Sequence, residues 1–102
     1  MGIATALETE NGEQLGTIED PTNVLHRVLP EVGDPKYQCL SCIDWYGNTT
    51  FNHLQAPQLL AEWATLNAND RDRETERVLH GIRKLAERLR DEVHVYLKFY
   101  GD

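Results

Sequence analysis

Two cysteines, three positions apart, have the widest chemical range of any residues in this sequence. Cys39 and Cys42 form a C-x-x-C string, a spacing that thiol–disulfide proteins use and that zinc sites use when further ligands are present. A redox string of this kind opens a helix, whose N-terminus lowers the thiol pKa. Here the chain continues into residues 43–46, which predict a β-strand, and strand side chains three positions apart point to opposite faces. We therefore predict free structural thiols, with a metal or thiol site at Cys39, Cys42 and His53 as the alternative.

The histidines and the single serine form no recognised catalytic string. The four histidines are His26, His53, His80 and His94. None occurs in H-E-x-x-H, and Ser41 does not lie in G-x-S-x-G. A phosphate-binding loop and a G-x-G-x-x-G string are also absent from the sequence, so we predict no catalytic residue and no cofactor. The remaining enzymatic hypothesis is a small ligand-binding or enzymatic domain with a polar site near Asp44, His53 and His94.

The end of the chain predicts a contact surface. Two sets of residues alternate there, Val93, Val95, Leu97 and Phe99 on one face and His94, Tyr96, Lys98 and Tyr100 on the other. Tyrosine offers rigid, amphipathic contact area, so we predict that the second set binds a partner protein or a second copy of this chain. The competing interpretation is that the tyrosine rings only cover cross-strand neighbours on a solvated sheet.

A single α+β domain over residues 1–102 is predicted to position these side chains. Its antiparallel sheet has five strands, at residues 3–9, 13–19, 37–45, 49–53 and 93–99, with Gly47-Asn48 as the turn of the second hairpin. Asn11-Gly12 predicts the turn of the first hairpin, with positive φ at both positions, and sets Leu7 opposite Gly16. Helices are expected mainly on one face of this sheet.

Three helices are predicted from caps and apolar spacing. Asp20-Pro21 favours a helix over residues 21–29, with a strand as the alternative, and Pro57 opens a second helix. The third helix covers residues 73–91, with acidic residues at its start and basic residues at its end, as the helix dipole favours. Gly81 inside it predicts close packing against another element. The predicted core contains Leu79, Ile82, Leu85, Leu89, Val95, Leu97, Ile43 and Trp63.

The net charge of −7 comes from one part of the chain. Residues 1–69 carry nine acidic side chains against only Arg27 and Lys36, whereas residues 70–102 carry eight of each sign. This acidity argues against direct nucleic-acid binding, which usually needs a basic face. The sequence has no stretch near the roughly 18 apolar residues of a membrane helix, and its N-terminus does not resemble a signal peptide. A cytoplasmic protein without membrane contact is therefore expected.

The function that these features favour is that of a small, acidic, non-enzymatic protein–protein interaction module. An adaptor, an inhibitor, an immunity-type protein or a self-associating subunit fits this profile by analogy of class. A further hypothesis, mimicry of nucleic acid, requires the carboxylates of residues 1–69 to form a spaced row on one face.

Overall fold

The computed structural model describes residues 3–66 and 72–101 and shows an α+β fold. The strands are β1 (Ala4–Thr9), β2 (Gln14–Ile18), β3 (Asn48–Phe51) and β4 (Val95–Tyr100). The helices are α1 (Val24–Val28), α2 (Ala56–Trp63) and α3 (Arg73–Asp91), and short 3-10 turns span Leu40–Cys42 and His53–Gln55. The strands form one antiparallel sheet in the order β2-β1-β4-β3, and α3 packs across one face of it.

The first hairpin has the predicted register but a different turn. Leu7 lies opposite Gly16, as the alternation required. Only Gly12 takes a positive φ, of 88°, whereas Asn11 does not. The Gly12 N–H donates to the Thr9 carbonyl at 2.9 Å, which closes a four-residue turn over residues 9–12. Gly12, with its left-handed φ, is the last residue of this turn. The prediction of positive φ at both turn positions was therefore wrong, while the pairing that it was used to derive is confirmed.

The sheet has four strands, because residues 37–45 do not form the predicted strand. In this segment the N–H groups of Gln38, Cys39 and Leu40 donate to the carboxylate of Glu62, at 2.9 to 3.0 Å. A strand would direct alternate backbone groups to neighbouring strands, whereas one carboxylate on α2 gathers three successive donors and curls the backbone into a turn. The predicted second hairpin is also absent, since β3 follows this loop and pairs with β4 instead.

Residues 24–28 are helical, which resolves the helix-or-strand alternative for residues 21–29. The helix begins later than Pro21, because Asn23 adopts a left-handed φ of 59° immediately before it. Asp20 still caps it: its carboxylate accepts the N–H groups of Val24 at 2.7 Å and Leu25 at 2.9 Å. Asp20 therefore supplies the capping acceptor, but the predictions that it is the N-cap residue and that Pro21 is the first helical residue were wrong, because the N-cap position belongs to Asn23.

α3 has the predicted bounds and supplies much of the core. Its N-cap is Asp72, whose side chain accepts the Thr75 N–H at 2.8 Å, and acidic and basic residues lie in its first and last turns respectively. All eight predicted core residues are buried. A Cβ on Gly81 would clash with the Ile18 side chain, so the glycine lets α3 approach β2 closely. Among the described residues, no helix combines the length and apolarity needed to cross a membrane.

Two arginines of α3 reach the backbone of β2 and of the residue after it. Arg88 donates from Nη1 to the carbonyl oxygen of Leu15 at 3.3 Å, and Arg77 donates from Nη2 to that of Glu19 at 2.7 Å. Because β2 is at one edge of the sheet, these carbonyls have no partner strand on their outer side. The guanidinium groups therefore attach the helix to the sheet edge.

Candidate functional site

The sheet face opposite α3 is the part of the fold that the helices leave uncovered. On β4, Val95, Leu97 and Phe99 are buried, while Tyr96, Lys98 and Tyr100 between them are only half-buried. By register, the same face also carries Ala4, Ala6, Glu8, Gln14, Thr17, Asn48 and Thr50. We call this set, with the three β4 residues, the open face. Its outer members on β2 and β3 are exposed, so the face is in contact with solvent.

His94 lies just outside the strand in which the alternation placed it. It precedes β4, is exposed, and adopts a left-handed φ of 59°. Positive φ breaks the extended geometry that alternation assumes, so the strand begins at Val95 and not at His94. Its Nδ1 lies 3.7 Å from a carboxylate oxygen of Glu10 in the first hairpin turn.

A carboxylate that the sequence analysis did not select lies on the open face, toward the end near the first hairpin turn. Glu8 is 3 % exposed and sits directly opposite Tyr96. The Tyr100 hydroxyl donates to its Oε2, Gln14 Nε2 donates to the same oxygen at 3.3 Å, and Lys98 Nζ lies 3.3 Å from Oε1. Burial raises the pKa of Glu8, but these three donors outweigh burial and hold the pKa below its usual value.

The hydrogen bond between Tyr100 and Glu8 fixes the tyrosine ring along the sheet. Tyr100 pairs with Ala4 on β1, and Glu8 lies four residues further along the same strand. The tyrosine side chain therefore has to pass Ala6, the residue between them on this face, to reach the Glu8 carboxylate. The methyl group of Ala6 leaves room for this crossing, and that residue is only 2 % exposed. The carboxylate raises the pKa of Tyr100 to about 12, which keeps the phenol neutral and able to donate. The hairpin register predicted the strand face of Glu8, but not its contact with a residue 92 positions away.

The predicted metal or thiol residues are only partly brought together. Cys39 is buried and Cys42 is exposed; Cys42 ends the 3-10 turn Leu40–Cys42 that replaces part of the expected strand, and Cys39 immediately precedes it. His53 instead places its Nδ1 3.1 Å from the carbonyl oxygen of Leu89, near the end of α3. Among residues 3–66 and 72–101, three or more His, Cys, Asp or Glu side chains do not cluster as a metal site would require.

The alternative polar site at Asp44, His53 and His94 is not assembled. His94 lies immediately before β4, whereas Asp44 lies against Gly47, whose carbonyl accepts the Gly101 N–H just beyond β4. The two side chains are therefore at opposite ends of a strand of six residues, which spans roughly 20 Å. A cleft of about 240 Å³ lies elsewhere, between α2 and α3, and Asp44, His53 and His94 do not line it.

The fold and the open face together define an α+β protein with one helix-covered and one solvent-facing side of an antiparallel sheet. Comparison of the chain with protein-family models, with curated proteins and with solved structures returned no match.

Proposed function

We propose that this protein is a non-enzymatic interaction module that binds a basic partner protein through the open face. The observation that carries the proposal is the arrangement of Tyr96, Lys98 and Tyr100 around the carboxylate of Glu8, on the side of the sheet that α3 does not cover. Tyrosine is enriched at protein–protein contact surfaces, and two tyrosines lie on this solvated side of the sheet.

The hydrogen bonds on the open face support binding because they preorganise it. The Tyr100 ring is held by Glu8, and Glu8 is held in turn by Gln14 and Lys98. Side chains that are already ordered lose less conformational entropy when a partner covers them. The same bonds also support the competing interpretation, in which the ring only covers its neighbours, so the binding role has to be tested on Tyr96.

The charge near the open face favours a basic partner over a second copy. The hairpin at one end of the face carries Glu10 and Glu13, both exposed, and His94 Nδ1 lies 3.7 Å from the carboxylate of Glu10. The chain as a whole has a net charge of −7, so two copies repel each other. A basic surface is attracted to this end and steered toward the tyrosines.

A matched pair of tyrosine variants tests the proposal. A partner captured from the native source is purified, and its affinity is measured by calorimetry for wild type, Tyr96→Ala and Tyr46→Ala. Tyr46 is the control because it is 78 % exposed and lies off the open face. We expect Tyr96→Ala to weaken binding about 30-fold, as loss of an aromatic anchor does, and Tyr46→Ala to bind as wild type does. Equal binding by all three proteins would refute the proposal.

A second pair of variants tests the choice of a basic partner. Glu13→Lys, in the hairpin at one end of the open face, should slow association and weaken binding, whereas Glu31→Lys, the same charge change at an exposed position outside this hairpin and the open face, should not. Sedimentation equilibrium of the protein alone tests whether a second copy of this chain, and not a basic partner, covers the open face. A dimer that Tyr96→Ala dissociates would show that the open face binds a second copy, and would overturn the assignment of a basic partner.

A further inference from the structure

The C-x-x-C string lies at a 3-10 turn and not in the expected strand. The strand geometry, which would have pointed the two thiols to opposite faces, therefore does not apply. The Cys42 N–H donates to the Cys39 carbonyl at 3.0 Å, across the 3-10 turn Leu40–Cys42. Residues three apart in such a turn rise about 2 Å each and lie on the same side, so their Cα atoms are about 6 Å apart. A disulfide needs Cα atoms separated by roughly 4.4–6.8 Å.

The turn is held in place from outside. Glu62 accepts the N–H groups of Cys39 and Leu40, each at 3.0 Å, and the Ser41 carbonyl accepts the Gly33 N–H at 3.0 Å. The Ser41 hydroxyl also donates to the Tyr37 carbonyl. These bonds fix the backbone on both sides of the two cysteines, so the separation of their Cα atoms is set by the turn.

The two thiols differ in access to solvent. Cys42 is exposed, and its Sγ donates to the Gln38 carbonyl at 3.3 Å, whereas Cys39 is 6 % exposed. Burial, followed by the neighbouring Glu62 carboxylate, raises the pKa of the Cys39 thiol, so this group is protonated at neutral pH. A reagent from solution therefore reaches Cys42 first, and Cys39 is placed to react with whatever forms there.

We propose that Cys39 and Cys42 are a reversible dithiol–disulfide site that exchanges with small-molecule disulfides such as oxidised glutathione. The Cys42 thiolate attacks one sulfur of the reagent, forming a mixed disulfide and releasing one glutathione thiolate. Cys39 then loses its proton to solvent and attacks Cys42 Sγ, which forms the Cys39–Cys42 bond and releases the second thiolate. The protein dithiol is oxidised by two electrons, and one glutathione disulfide is reduced to two thiols.

Mass spectrometry of the whole protein tests this site. Reduced protein is equilibrated in buffers with an increasing ratio of oxidised to reduced glutathione. The remaining thiols are then blocked with an alkylating reagent, and the mass of the intact protein is measured. We expect both thiols to become unreactive in a single step, with the mass of the unalkylated protein lower by two hydrogen atoms. Accumulation of a glutathione adduct in wild type, or of disulfide-linked pairs of chains, would overturn the proposal.

Single cysteine variants test the order of the two steps, with circular dichroism as the folding control. Cys39→Ala, which keeps the buried position apolar, should hold a stable glutathione adduct on Cys42 because the resolving thiol is gone. Cys42→Ser should react at least about tenfold more slowly than Cys39→Ala, because the remaining thiol is buried and protonated. Equal rates would overturn the assigned roles. These readouts do not involve Tyr96, so they are independent of the partner-binding proposal.

Discussion

Carboxylates serve opposite purposes in residues 3–66 and in α3. In the first region Glu8, Asp20 and Glu62 are buried, and Asp20 and Glu62 accept backbone N–H groups. In α3, Glu74 and Glu87 lie on the surface and pair with arginine or lysine one turn away. The acidic excess of the first region is therefore partly structural, because a buried carboxylate with several donors replaces a cap or a strand pairing that the local backbone lacks.

This difference teaches which charges hold the fold. A buried carboxylate that is removed leaves several backbone donors without a partner, and each such group costs about 1–3 kcal/mol. A surface ion pair is exposed to water and contributes about 0–1 kcal/mol. Substitutions in the two regions should therefore have effects of very different size, although all of them remove one negative charge.

The largest effect is expected from Glu62→Ala. The substitution leaves the N–H groups of Gln38, Cys39 and Leu40 without their acceptor, and the last two residues are buried. We expect a loss of about 3–5 kcal/mol in the free energy of unfolding. Urea denaturation followed by circular dichroism measures it. A loss below about 1 kcal/mol would show that water replaces the carboxylate without cost.

Glu62→Gln separates the charge from the hydrogen bonds. Burial raises the pKa of Glu62. The hydrogen bonds from the backbone N–H groups of Leu40, Cys39 and Gln38 and from the Gln58 amide lower it by more than burial raises it, so the folded pKa is below the ordinary 4.5. A carboxyl group with a depressed folded pKa stabilises the protein above its unfolded pKa, and that stability is lost as pH falls through the folded value. Wild type should therefore lose stability below about pH 4.5 more steeply than Glu62→Gln does. Parallel slopes would contradict the assignment.

A smaller effect is expected from Asp20→Ala, which removes the acceptor of two N–H groups at the start of α1, those of Val24 and Leu25. We expect a loss of about 2 kcal/mol, at the upper end for a helix cap. Asp20→Asn should recover part of it, since an amide oxygen still accepts. The comparison uses thermal unfolding, and equal stability of the alanine and asparagine variants would show that the cap itself contributes nothing.

Tyr100→Phe should cost about 1 kcal/mol, because it keeps the ring and removes only the hydroxyl that donates to Glu8. The loss of this donor also raises the pKa of Glu8 relative to wild type, since hydrogen bonds to the ionised form keep it low. An NMR titration of the Glu8 side chain carboxyl carbon measures that change. An unaltered Glu8 titration would show that the hydroxyl does not belong to the hydrogen-bond network on the open face.

The smallest effect is expected from Glu87→Ala on α3. Its carboxylate lies 3.7 Å from Arg83 and 3.6 Å from Lys84, and all three side chains are partly exposed. We expect a change under about 0.5 kcal/mol, which decreases further in high salt. A loss as large as that of Asp20→Ala would erase the contrast between the two regions.

The parts of the fold that the sequence predicted correctly are those whose signal is local. α3 is set by an apolar stripe and by Asp72 next to its first turn, and the first hairpin by alternation around Gly12. Residues 37–45 were predicted as a strand because their side chains alternate in the same way. The acceptor that curls them, Glu62, lies 22 to 24 positions further along the chain, where no local pattern indicates it.

The open face was predicted in part for the same reason. Alternation along β4 correctly placed Tyr96, Lys98 and Tyr100 on one face. The alternation wrongly extended the strand to His94. A histidine at this position does not reveal from the sequence that its backbone adopts a positive φ. The alternation could not include Glu8, because the contact with Tyr100 depends on the pairing of β1 with β4, the two ends of the chain.

Arg88 and Arg77, which donate to the carbonyls of Leu15 on β2 and of Glu19 just after it, also bear on self-association of this protein at high concentration. An exposed sheet edge is a template on which a strand from another molecule can add, the first step of domain swapping and of fibril growth. Because the carbonyl oxygens of Leu15 and Glu19 are occupied by Arg88 and Arg77, an incoming strand must first displace two cations. We therefore expect α3 to disfavour strand addition at this edge, in addition to covering the core.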